Sequence, residues 1–312
     1  MQYTLRTIVL LFSLLLLSLP WPNRAEAEQA GQNPGEVDLS PPPSGPLPTA
    51  ASIAPLAFLL REIGGARISV EIMIPPGSDL HTYEPTPGQV ARLGGAAAFF
   101  TLNTPFEEHL LTKIPPSKEG GPLVVEVGRS APRLPMEEYG DHKEDGGGHS
   151  HGELDPHIWL GPPQLAFMAD DLLSGLIALD PWGEEYYRYN HLRLQRKIDA
   201  THAGIARRLA PFAGRTFYVY HPAFAYFAHA YSLKQKAVEI AGKSPSPRQL
   251  IKLVQQARRD GVRVIFVQPQ FDAKSATAIA RAIDGRVLSL DPMAEELLEN
   301  LETMAENIAE TL

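Results

Sequence analysis

Apolar and polar positions along this chain keep two different periods. From Ile68 to Ile74 the sequence ISVEIMI begins with apolar side chains at every second residue, the spacing of a half-buried strand, and Pro75-Pro76-Gly77 ends it. Ile53 to Ile63 has helical spacing and stops at Gly64-Gly65. A short helix is expected from Pro85 to Leu93, with the proline in its first turn. Ala96–Leu102 and Leu123–Val127 read as short apolar strands. Short apolar strands separated by helical segments predict parallel βαβ units.

The same grammar restarts past residue 210. Thr216–Tyr220, Lys236–Ile240, Arg263–Val267 and Arg286–Leu290 read as four strands, with helices between them at Pro247–Asp260 and Ala273–Ile283. Between the two sets, Trp182 to Leu209 contains no proline and a single glycine, Gly204. Its apolar residues Trp182, Tyr186, Tyr189, Leu194, Ile198, Ile205 and Leu209 fall close to a 3.6-residue period, which predicts one helix about 42 Å long. The predicted fold is α/β: two lobes, each a parallel-type sheet flanked by helices, joined by one long rigid helix. The expected boundaries are a lobe over residues 50–180, a connecting helix over 181–210 and a second lobe over 211–312.

The first 49 residues follow other rules. Arg6 precedes an apolar run from Ile8 to Leu19, too short for a comfortable membrane span and broken by Pro20 and Pro22. Ala25-Glu26-Ala27 supplies a small-x-small cleavage site, so residues 1–27 read as a signal peptide; an uncleaved anchor is the other reading. Residues 28–49 are rich in proline and glycine without apolar periodicity, as in a flexible linker.

Composition narrows the chemistry. The 312 residues are 44% hydrophobic and 21% charged, which is ample for a globular core. The chain has no cysteine, so a disulfide framework, a lipid-bearing cysteine and thiolate metal ligands are all excluded. A metal site here must use His, Asp and Glu. The net charge of −8 argues against nucleic acid as a partner, and loss of residues 1–27 would add one further negative charge.

Three of the ten histidines and one aspartate lie next to turn signals near strand ends: His81 in GSDLHTYEPTP, His157 in LDPHIWL, His221 in YVYHPAF and Asp291 in LSLDPMA. Ligands of open α/β sheets bind outside the carboxyl ends of strands, so a cleft between the lobes would bring the four together. The alternative is four unrelated loop residues that cap helices or meet solvent. Three imidazoles with one oxygen ligand suit tetrahedral Zn²⁺. Mg²⁺ and Ca²⁺ call for more oxygen ligands, and Mn²⁺ ranks lowest on nitrogen-rich sites.

HTYEPTP, DPHIWL, HPAFAYFA, SPSPRQL and VQPQFDAKSA occur in this order. Together they resemble the metal-binding subgroup of ABC-transporter substrate-binding proteins, most of all its periplasmic zinc-uptake members, over residues 50–312. The resemblance implies two lobes bridged by a rigid helix, with the metal in the cleft. It implies His81 and His157 as ligands from the first lobe. From the second it implies His221, where manganese-binding relatives carry a carboxylate, and Asp291, whose place a water takes in some zinc members. It further implies Zn²⁺ as the transported ligand, the membrane permease of an ABC transporter as partner, a periplasmic location, a monomer and no catalytic activity. The chain departs from the pattern at Leu80, Ser244 and Gln268, where relatives carry proline or glutamate, glutamate and glutamate.

His142, His149 and His151 lie in the aperiodic run DHKEDGGGHSHGE, an expected loop over 141–152. The resemblance implies an accessory loop that gathers zinc or senses its level; a solvated loop of weak metal affinity is the other reading. His109, His191, His202 and His229 fall in helical contexts and are expected to be ordinary surface or core residues. Glu84 and Asp155 either orient ligand imidazoles or serve as a helix-start carboxylate and a turn residue. Two rival functions use the same residues. One is a manganese or iron carrier on the same fold. The other is a zinc-dependent hydrolase, for which the chain offers no HExxH motif and no nucleophile elbow.

Overall fold

In a computed structural model the described residues are 45–114, 120–136, 154–239, 245–271 and 274–312. The expected signal segment, most of the expected linker, Ser244 and the loop carrying His142, His149 and His151 lie outside them.

The first lobe runs β1 (Leu47–Ala51), α1 (Ala54–Gly64), β2 (Ile68–Ile72), α2 (Pro87–Gly94), β3 (Ala98–Thr101), α3 (Pro105–Thr112) and β4 (Leu123–Glu126). Its four strands are all parallel, in the order β2-β1-β3-β4. Strand β1 corrects the expectation that the linker reaches residue 49. A proline-rich approach hides this strand, because Pro48 cannot donate to the ladder. Pro48 sits at the strand's start, and its carbonyl still accepts the amide of Ala97 at 2.7 Å. Thr49, Ala50 and Ala51 then bury as the sheet's inner strand.

Two helices follow: α4 (Pro162–Leu179) and α5 (Glu184–Leu209). At 26 residues, α5 spans about 39 Å. It packs against α1 and α4 near its start and against the C-terminal helix near its end. The predicted start at Trp182 is corrected: Pro181–Gly183 form a separate 3-10 turn, and Trp182 is 95% exposed. Tyr189 is also exposed, and the inward stripe is Tyr186, Tyr187, Asn190, Leu194, Ile198, Thr201, Ile205 and Leu209. Polar residues in that stripe make the joints. Asn190 Nδ2 donates to the carbonyl of Ile63 at 3.0 Å, and Asp180 Oδ2 receives Arg67 Nε at 2.9 Å and Tyr187 OH at 2.8 Å.

The second lobe runs β5 (Thr216–Val219), α6 (Ala225–Ala230), β6 (Lys234–Ala237), α7 (Pro247–Arg259), β7 (Val264–Val267), α8 (Lys274–Ala282), β8 (Arg286–Ser289) and α9 (Leu297–Ala309). The sheet is again parallel, in the order β6-β5-β7-β8, which repeats the wiring of the first. Strand β6 begins two residues before its predicted Lys236 start. Its sequence KQKA is polar, and buried Gln235 serves structure, accepting the amide of Phe224 at 3.0 Å, so hydropathy alone cannot place it. Helix α9 closes on α5, where Thr201 Oγ1 donates to Glu302 Oε1 at 3.0 Å. Each lobe has its own core, with Phe99, Leu93 and Leu110 in the first and Tyr218, Ile265 and Ile279 in the second. No helix among the described residues is long and apolar enough to cross a membrane.

Candidate metal centre

His81, His157 and His221 meet at the carboxyl ends of the strands. One ring nitrogen from each lies within 4.8 Å of the others, and among the described residues no other group of three or more His, Asp or Glu does so.

Each histidine is held by its own local chemistry. His81 follows β2 in a turn built on Asp79, whose Oδ1 accepts the His81 amide at 2.9 Å and whose Oδ2 accepts Thr82 Oγ1 at 3.0 Å. His157 is buried, at 4% exposure, at the end of the long connection after β4. Asp155 Oδ1 accepts both its amide and its Nδ1, each at 2.8 Å. His221 begins the turn after β5. Gln268, at the end of β7, clamps its backbone: Oε1 accepts the His221 amide at 3.1 Å and Nε2 donates to its carbonyl at 2.7 Å. Glu239, just beyond β6, accepts His221 Nδ1 at 2.6 Å, and the Phe271 ring stacks on the imidazole at 4.9 Å.

These carboxylates decide the tautomers. With Nδ1–H donated to Asp155 or Glu239, the neutral rings of His157 and His221 keep a lone pair on Nε2. Both Nε2 atoms face the cluster, 3.4 Å apart. Tetrahedral Zn²⁺ with bonds of about 2.0–2.1 Å holds its nitrogen ligands about 3.3–3.4 Å apart, so this pair has the spacing the ion requires, with a His81 ring nitrogen within 4.8 Å of both. Loss of water around the His81 ring, and then the neighbouring imidazoles of His157 and His221, push its pKa from 6.5 down to about 4. The residue as a whole remains partly open to solvent. Leu80, Trp159, Phe271, Pro292 and Met293 line the same cleft and keep it largely apolar.

Asp291 does not join the three rings. It follows β8, and its Oδ1 accepts Gln270 Nε2 at 2.8 Å and the Met293 amide at 2.9 Å. Glu84 turns away to pair with Lys113 Nζ at 2.7 Å on the surface. Of the two carboxylates considered for orienting a ligand, only Asp155 does so. Glu239 was not singled out in the sequence because it falls inside the predicted strand Lys236–Ile240; the observed β6 ends at Ala237 and leaves Glu239 beyond it. His191 pairs with Asp170 at 2.8 Å and His202 with Tyr231 at 3.1 Å, away from the cluster.

The lobes also touch around the site. Trp159 Nε1 donates to the carbonyl of Pro292 at 2.7 Å. Tyr226 OH donates to the carbonyl of Asp155 at 2.9 Å and accepts the amide of Leu134 at 3.0 Å. Thus α6 of the second lobe supports the segment that aims His157 from the first.

Residues 50–312 match the family model described as zinc-uptake complex component A, periplasmic, or ZnuA. The chain belongs to the ZnuA family. The high-affinity zinc uptake system protein ZnuA of Yersinia pestis is 24% identical over 266 residues, covering 79% of this chain and 83% of that protein. A crystal structure of ZnuA matches with a TM-score of 0.78 at 31% identity, over 85% of this chain and 99% of that one. The substrate-binding protein FpvC of Pseudomonas aeruginosa, solved in complex with Mn²⁺, matches with a TM-score of 0.70 at 25% identity, over 85% and 99%. The fold and family are those of solute-binding transport proteins, and ZnuA is not a catalytic family.

Proposed function

We propose that this ZnuA-family chain is an extracytoplasmic protein that binds one Zn²⁺ through His81, His157 and His221 and delivers it to the membrane permease of an ABC transporter. The observation that carries this reading is the pair of inward Nε2 lone pairs, 3.4 Å apart, each presented by a ring whose other nitrogen is tied to a carboxylate. Neutral imidazoles make a borderline-metal site. The nitrogen-rich set favours zinc over manganese, the ion in the FpvC structure. The expected signal over residues 1–27 fits an exported protein.

Release follows from the same chemistry. Imidazole binds the ion only when neutral, so protons compete with Zn²⁺. A 26-residue helix between the lobes favours small local shifts over wide hinge closure. Calorimetry of the purified protein tests the reading. One Zn²⁺ per chain is expected, bound more tightly than Mn²⁺, with anomalous scattering at the zinc edge centred between the three rings. Preference for Mn²⁺, or an ion bound elsewhere, would reject it.

A further inference from the structure

The Asp291 carboxylate is close to the cleft yet restrained outside the imidazole cluster. Two carbonyls of that segment have their own tethers. The Asp291 carbonyl accepts Asn300 Nδ2 at 2.7 Å, and the next carbonyl, of Pro292, accepts Trp159 Nε1 at 2.7 Å. Among the described residues the carboxylate itself is held by the Met293 amide and by one side chain, Gln270. Gln270 lines the cleft beside the three imidazoles, two residues beyond the Gln268 that clamps His221. Its Oε1 is buried without a hydrogen-bond partner among the described residues, so the contact through Nε2 is what orients the amide.

We infer that Gln270 sets metal preference by holding the Asp291 carboxylate away from the imidazoles. The inference rests on the reading of the three histidines as the Zn²⁺ site. Three nitrogens and an open position satisfy Zn²⁺, whose site tolerates four ligands of mixed type. Mn²⁺ gains little from imidazole and more from carboxylate oxygen. A free Asp291 carboxylate would therefore help Mn²⁺ more than Zn²⁺. Gln270 is a positioning residue in this scheme: it acts through Asp291 and need not touch the ion.

The test is the ratio of Mn²⁺ to Zn²⁺ dissociation constants, measured by competition with a chromophoric chelator, for the wild type, Gln270→Ala, and Gln270→Ala combined with Asp291→Ala. The preference for Zn²⁺ should fall by about tenfold or more in the single variant, the scale of effects through outer partners of a metal site, and return in the double variant. A smaller fall, or one that persists without Asp291, overturns the inference and leaves the zinc site standing. A wild-type protein that binds no Zn²⁺ overturns both. If Gln270→Ala does not fold, Gln270→Met, which keeps the bulk and loses the donor, is read in its place.

Discussion

The Nε2 atoms of His157 and His221 lie 3.4 Å apart, and neither neutral ring has a proton to place between them. Asp155 and Glu239 each take the one N–H that the ring can donate, at 2.8 and 2.6 Å. Two lone pairs facing each other repel, and a cation between them removes the repulsion. The pair crosses from one lobe to the other, so the ion would bridge the two halves of the chain.

Replacing His221 with alanine should therefore weaken Zn²⁺ binding beyond the roughly 10–100-fold typical of losing an outer partner of a metal site. Competition with a chelator of known affinity measures it. An affinity equal to wild type would remove His221 from the ligand set.

Glu239 and Asp155 act one step further out. Glu239→Ala and Asp155→Ala should each weaken Zn²⁺ binding by about 10–100-fold, because ring orientation and basicity are lost while the nitrogen remains. Glu239→Gln should recover part of the loss, since its carbonyl oxygen still accepts the Nδ1 proton. Identical affinities for the Ala and Gln variants would count against an orienting role.

His81 should titrate near pH 4 in the metal-free protein, against 6.5 for an ordinary histidine. The folded state favours its neutral form. The stability tied to this group is thus present above about pH 6.5 and lost as pH falls toward 4. Imidazole chemical shifts followed by NMR give the midpoint directly. A value near 6.5 would mean that the ring does not rest against the other two.

Arg67 and Asp180, both buried, join the start of β2 to the turn before α5 with Tyr187 as a third member. Removing one partner strands a buried charge, so Arg67→Met should cost about 3–5 kcal/mol of stability. Urea unfolding reads the cost. A loss below 1 kcal/mol would show that Tyr187 and solvent satisfy Asp180 unaided.

The parallel strands and the long connector were legible because period and composition agree there: apolar runs of four or five residues between helices admit few readings. What escaped did so for identifiable reasons. Strand β1 begins at Leu47 inside a proline-rich stretch, and β6 is polar, so neither has the expected pattern. The predicted β6 also runs past the observed end at Ala237, which concealed Glu239 as a mid-strand residue in KAVEI. The three histidines were readable from their places after turn signals. Asp291 was readable by the same rule, but the rule says nothing of Gln270, a neutral side chain that reaches it from another strand end.

Among the described residues there are two indoles, and they occupy opposite environments. Trp159 is fully buried, with its ring 5.3 Å from that of His157, whereas Trp182 is 95% exposed. Emission from the first should lie to the blue and that from the second to the red. A cation arriving beside His157 should perturb the blue component more than the red, so that loading could be timed by stopped-flow mixing without attaching a dye.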